Sequence, residues 1–311
     1  MEGLLNVSSN PHIRSKQSTS TIMLLVVIAL LPATGYGIFH FGVNALVLVF
    51  TSVASSVLFE FLFTILTKRP RTIGDFSAVV TGLLLGLNLP PGAPWWIAMV
   101  GAFFAIIVVK MLFGGIGQNF MNPALGARCF LLISFTSIMT DFRYDTVSKA
   151  TMLARVEAGE KVDLIKMMVG DIPGTIGETS SICILIGGCF LILCGIIDFA
   201  IPVTYIGSFV VFIGLFAEQG FDITYLCGHV LGGGLLLGAF FMATDYVTRP
   251  ITKSGQIIYG ILLGFLTAVF RAFSPMTEGV SYAIILGNLL VPLIDKFTKP
   301  RFFGKGAGKN E

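Results

Sequence analysis

Ten apolar runs dominate this chain, at about 22–39, 43–66, 76–90, 94–113, 122–139, 181–198, 202–217, 224–243, 256–273 and 279–296. A bilayer core about 30 Å thick is crossed by a helix of roughly 20 apolar residues. Backbone groups in hydrocarbon must find their partners within the segment, so such runs fold as helices. The expected fold class is an all-α integral membrane protein with about ten transmembrane helices. Composition points the same way: 55% of residues are hydrophobic and 12% charged, against about 25% charged in soluble domains. The 36 glycines also suit membrane helices. Lys and Arg gather at the ends and turns without forming a basic face, which excludes a nucleic-acid partner. Cys129, Cys183, Cys189, Cys194 and Cys227 all lie in apolar stretches, and no CxxC pair occurs. No zinc or iron–sulfur centre can then be built from a local motif.

The runs divide the chain into a polar N-terminal segment 1–21, a first membrane half 22–139, a connection 140–180, a second membrane half 181–297 and a basic tail 298–311. No small-residue cleavage site follows Met1–Ser20, so the first helix is expected to be retained. Arg14, Lys16, Lys68, Arg69, Arg71, Lys110, Arg249, Lys253 and the tail lysines fall on one side of a ten-span arrangement. That side is the cytoplasm by the positive-inside rule, with both termini there. The turns Phe39–Gly42, Pro90–Pro94 and Glu218–Asp222 carry no Lys or Arg, and Arg271 is the exception. The connection then lies outside. Its Arg and Lys are balanced by Asp141, Asp145, Glu157, Glu160, Asp163, Asp171 and Glu178, and it holds a predicted amphipathic helix, Val162–Val169. Thr81-Gly82-Leu83-Leu84-Leu85-Gly86 in the third run matches Gly233-Gly234-Leu235-Leu236-Leu237-Gly238 in the eighth. Five spans per half would make the copies run oppositely, an inverted five-plus-five repeat with its site near the midplane.

Within the connection, Asp145-Thr146-Val147-Ser148-Lys149-Ala150-Thr151 resembles the D-x-x-S-x-A-T acceptor to which a flavin transferase joins FMN. A phosphodiester needs a hydroxyl, and a small neighbour such as Ala150 leaves room for the transferase. Asp145 and Ser148 would help orient the segment.

Further stretches widen the likeness: Leu89-Pro90-Pro91-Gly92-Ala93-Pro94-Trp95-Trp96, Gly114-Gly115-Ile116-Gly117-Gln118-Asn119, Asn122-Pro123-Ala124, Gly177-Glu178-Thr179-Ser180, Ala243-Thr244-Asp245-Tyr246-Val247-Thr248 and Val291-Pro292-Leu293-Ile294-Asp295. Over nearly its whole length the chain resembles the NqrB/RnfD family. These are membrane subunits of the ion-translocating Rnf ferredoxin:NAD+ oxidoreductase and of the sodium-translocating NADH:quinone reductase. The resemblance implies membrane electron transfer in a bacterial cell membrane, with covalent FMN on Thr151 and a noncovalent riboflavin within the membrane. It implies as partners the other Rnf complex subunits, among them a second FMN-bearing subunit and iron–sulfur subunits, with membrane lipid and the flavin transferase. Lys149 departs from the family's usual Gly or Gln, and Tyr246 from a frequent Pro. A reading of a different class is a small-solute channel or transporter, which the same repeat also builds; a third is a scaffold without cofactor.

Among buried polar candidates, Arg128 inside the fifth run is costly without a partner. It should meet a cofactor, a headgroup or another side chain. His229 is expected to be a hydrogen-bonded interhelical residue. Asp198 and Asp245 sit at span ends, Trp95-Trp96 in an interfacial belt, and Gly177-Glu178-Thr179-Ser180 at the cap of the sixth helix. Asn119 and Asn122 are candidates to line a cavity at a broken helix.

Overall fold

The computed structural model describes residues 18–69, 72–144, 147–148, 152–157, 163–217, 220–274 and 279–299. The structure is helical, and ten apolar helical segments match the ten runs. They are α1 (Thr19–Phe41), α2 (Val43–Leu66), α3 (Ser77–Leu87), α4 (Trp95–Met111), α5 (Pro123–Ser134), α6 (Ser181–Leu193), α7 (Ala200–Phe216), α8 (Ile223–Leu231 with Leu235–Met242), α9 (Lys253–Phe273) and α10 (Gly279–Phe297). Among the described residues, α1, α2, α9 and α10 are long and apolar enough to cross a membrane unaided, and the two parts of α8 reach that length only taken together, with a bend of 59° between them. The other five are shorter. At 1.5 Å per residue α3 reaches only about 16 Å and α6 about 20 Å.

Local chemistry sets the ends. Ser18 accepts from the Thr21 N–H at the start of α1, and Asn122 accepts from Ala124 and Leu125 ahead of Pro123 in α5, each satisfying donors that open a helix. The chain turns from α1 into α2 at Gly42, whose φ of 75° suits a residue without Cβ. Three expectations change. The eighth run is not one helix, because Gly233 and Gly234 take φ of 65° and 67° and interrupt it. The fifth run stops at Ser134, and a separate turn, Thr136–Met139, follows Phe135. The sixth ends at Leu193 rather than near 198.

Each half is built on closely packed helices. In the first, α2 lies against α3 and α4; in the second, α7 lies against α9; α1 and α6 pack on each other across the halves. Small residues permit the close approaches, as is usual where helices associate in lipid. A Cβ on Gly82 would come within 2.7 Å of the Val53 backbone, and one on Gly264 within 2.6 Å of the Phe209 amide nitrogen. Gly86 and Gly260 extend each notch by one turn.

Candidate functional site

The proposed acceptor is only partly described. Ser148 lies in the strand Val147–Ser148, antiparallel to Arg143–Tyr144. Asp145, Ala150 and Thr151 lie outside the described residues. The chain resumes immediately after Thr151 as a helix, Met152–Glu157, in place of an undefined loop. Leu153 and Val156 are both 2% exposed, and glycines make room for them. A Cβ on Gly228 would sit 2.8 Å from Val156, and one on Gly233 would sit 2.9 Å from Leu153. The segment that follows Thr151 is therefore seated on the first part of α8 and its break.

That break leaves carbonyls at the end of a half-helix, where acceptors carry negative partial charge. Arg271 of α9 satisfies them. Its Nη1 donates to the His229 carbonyl at 2.5 Å, and its Nη2 to those of Gly232 and Gly233 at 3.2 and 2.8 Å. The guanidinium also lies 5.1 Å from the Phe209 ring centre. Arg271 is buried and is no loop charge, so the exception to the charge rule disappears. The ring nitrogens of His229 have no hydrogen-bond partner among the described residues, contrary to expectation; the ring rests 4.3 Å from that of Tyr225.

Arg128 finds its partner within the chain. Its Nη2 lies 3.1 Å from Glu178 Oε1, and its Nη1 donates to Asn88 at the end of α3. Glu178 belongs to the connection, and its carboxyl carbon would stand 2.9 Å from a Cβ on Gly234. Backbone bonds from Gly177 to Leu87 (2.7 Å) and from Ile176 to Leu89 (3.1 Å) fasten the same stretch to α3. Ser180 caps α6 as expected, accepting from Cys183. Residues 174–181 are buried, so the end of the connection is a plug between the halves rather than a solvated loop.

Toward the starts of α1 and α3 and the end of α8, a pocket opens. Thr81, Leu84, Asn119, Asn122, Phe240, Phe241 and Asp245 contribute to its wall. Asn119 Oδ1 is buried there without a partner among the described residues. The π-helical turns Phe104–Met111 and Gly238–Met242 both border the cavity, and such turns are frequent at functional sites. Lys110 lies on the first of them, in the last turn of α4. It is 2% exposed and lies 2.6 Å from both Glu60 Oε2 and Ser77 Oγ. Glu60 also accepts from Thr72 at 2.5 Å. Glu60 was not among the sequence candidates; a lone acid inside an apolar run was the signal for it. Among the described residues no group of three or more His, Cys, Asp or Glu is placed to hold a metal ion.

Comparison with known proteins gives a consistent picture. The NQR2, RnfD, RnfE family model matches residues 6–304. The chain is 48% identical to the D component of the Na(+)-translocating ferredoxin:NAD(+) oxidoreductase complex of Acetobacterium woodii, over 99% of this chain and 98% of the relative. It is 39% identical to the D component of the proton-translocating ferredoxin:NAD(+) oxidoreductase complex of Clostridium ljungdahlii, over 97% of each. It is 38% identical to the D component of the ion-translocating oxidoreductase complex of Stutzerimonas stutzeri, over 94% of each.

Proposed function

Because this multi-pass membrane chain belongs to the NQR2, RnfD, RnfE family, we propose that it is the RnfD-type membrane electron-transfer subunit of an ion-translocating ferredoxin:NAD+ oxidoreductase complex, with FMN joined covalently to Thr151. The observation that carries this reading is the end-to-end likeness to the D components of two such complexes at 48% and 39% identity, together with the acceptor pattern ending at Thr151. Bound flavin supplies both one- and two-electron chemistry, the property needed between iron–sulfur donors and a nicotinamide acceptor.

The chain's own residues supply position. Thr151 provides the hydroxyl for the phosphoester. Leu153 and Val156 hold the following helix in the notches of Gly233 and Gly228. The Arg128–Glu178 pair ties the end of the connection to α5, and Asn88 and Gly234 extend the contact to the end of α3 and the break in α8. The cavity at the other end suits a noncovalent riboflavin. The unpartnered Asn119 carbonyl can accept from an imide N–H. Thr81 and Asn122 stand in the same wall. The buried Glu178 plug favours this reading over an open solute channel through the repeat interface. Electrons pass to and from the partners expected of the complex, a second FMN-bearing subunit and iron–sulfur subunits. Both termini face the cytoplasm of a bacterial cell and Thr151 the outer side, as the basic residues of the short turns direct.

The test is Thr151→Ala in the assembled complex. Flavin attached to this subunit, read by intact mass and in-gel fluorescence, should vanish, together with electron transfer through the complex. Assembly should survive, since Ala removes the hydroxyl without adding bulk. An adduct that persists, or that maps to Thr146 or Ser148, refutes the assignment.

A further inference from the structure

The described end of the connection, residues 163–180, runs alongside α1 and α6. Two close approaches fix its depth against α1. A Cβ on Gly187 of α6 would lie 3.1 Å from the Ala29 carbonyl carbon, and one on Gly37 would lie 2.8 Å from the Ile176 side chain. Moving back along the sequence from Gly187 to Ile176 thus moves forward along α1 from Ala29 to Gly37. Four residues of α1 remain beyond Gly37, about 6 Å of helix. Ser181 opens α6, and its hydroxyl donates to the carbonyls of Met167 (3.5 Å) and Leu231 (3.2 Å). Leu231 is the last residue of the nine-residue first part of α8, about 12 Å of helix beyond Ile223. The short helix Leu164–Val169 is therefore level with the first turn of α6 and the interior end of a half-helix. It lies well inside the layer that α1 spans.

Its faces are divided. Met167 is fully buried, whereas Ile165 is 73%, Met168 41% and Val169 47% exposed. These three occupy positions i, i+3 and i+4, one side of a helix. Asp163 caps the start, accepting from the Ile165 N–H at 3.0 Å, and Gly170 ends the helix with φ of 110°. A six-residue helix does not hold itself, so packing through Met167 fixes which side stays outward. It packs against α6, where Ile182 and Ile186 are likewise exposed.

We propose that Leu164–Val169 is a re-entrant helix that lies within one leaflet, with Ile165, Met168 and Val169 against lipid acyl chains. The occupant is lipid because Ile165, Met168 and Val169 form a continuous exposed apolar side, level with the first turn of α6 and adjoining its exposed face. Lys166 is exposed, and its long stem lets the ammonium reach the headgroups.

The test uses the full chain with its five cysteines replaced, reconstituted in phosphatidylcholine–phosphatidylglycerol nanodiscs. Single nitroxides are placed at Ile165→Cys, Met168→Cys, Asp163→Cys and, as a lipid reference, Ile182→Cys. Power saturation then compares collision with oxygen, which concentrates in hydrocarbon, and with an aqueous nickel chelate. Labels at 165 and 168 should match 182, with oxygen dominant, while 163 should favour nickel. Nickel dominance at 165 and 168 overturns the proposal. So does loss of both collision rates in the assembled complex, which would mean that a partner protein covers this side. Should the nitroxide variants not fold, Ile165→Trp in a chain with Trp95 and Trp96 replaced by Phe reads the same question. Brominated lipid should quench its fluorescence, and absence of quenching overturns the proposal.

Discussion

Replacing Arg128 with Met should destabilise the protein by about 3–5 kcal/mol, the usual cost of removing one partner from a buried ion pair. The side chains of Arg128 and Glu178 are only 5% and 9% exposed, so neither water nor lipid headgroups can take the lost partner's place. The substitution leaves the Glu178 carboxylate against the α8 break and deprives the Asn88 carbonyl of its donor. At 1.4 kcal/mol per tenfold, the folded-to-unfolded ratio falls by roughly a hundred- to a few-thousand-fold. Because the cost lies in the stranded charge rather than in lost attraction, Arg128→Met/Glu178→Leu should be more stable than either single variant. The assay is reversible unfolding of the purified subunit in mixed micelles, titrated with sodium dodecyl sulfate and followed by far-ultraviolet circular dichroism. A full double-mutant cycle gives the coupling. If the double variant loses the sum of the two single losses, the residues act independently and the electrostatic reasoning fails.

Three further outcomes are expected. A Cβ on Gly228 would lie 3.6 Å from that of Val156, within the span of a disulfide, so Val156→Cys/Gly228→Cys in a cysteine-free chain should cross-link on oxidation; a free-thiol count that stays at two refutes the seating of the helix after Thr151. Gly264→Leu should cost more than the 1–3 kcal/mol usual for overpacking, because its Cβ meets backbone atoms of α7 at 2.6 and 2.8 Å, whereas Gly35→Ala, with nothing within 4 Å, should be neutral or stabilising in the same unfolding assay. A single cysteine near Lys161 should react with an impermeant thiol reagent on intact cells while one near Lys305 should not; the reverse pattern inverts the proposed orientation.

Much of the fold was legible because lipid leaves the backbone so few options. Apolar runs located ten helices, and Pro123 after Asn122 marked a helix start by chemistry that needs no tertiary context. The break in α8 was hidden because Gly232-Gly233-Gly234 interrupts neither apolarity nor length; the positive φ values that bend it come from packing. Arg128 could be read as a residue in need of a partner and Glu178 as part of a cap. Their meeting is a matter of tertiary structure, across 50 residues of sequence. The pairing of Lys110 was hidden for the same reason, since its partner Glu60 is also 50 residues away. The connection looked polar from its charges, yet its last residues fold inward, because Ile176 and Gly177 exchange water for backbone bonds to α3. Thr151 stood out only through resemblance to a known acceptor, since a lone hydroxyl in a polar stretch carries no physical mark of its own.

The guanidinium that closes the α8 break sets an order for making the protein. Synthesis is vectorial, and the carbonyls of His229, Gly232 and Gly233 emerge 42, 39 and 38 residues before Arg271. Until α9 is inserted, that half-helix ends in unsatisfied acceptors within hydrocarbon, where each costs several kcal/mol. The notch at Gly233, flanked by Arg271 on one side and Leu153 on the other, is complete only then. The segment that follows Thr151 is thus translated long before its seat exists, and it docks as one of the last steps of assembly. Residues 152–157 therefore reach their final packing only once the ninth helix has arrived.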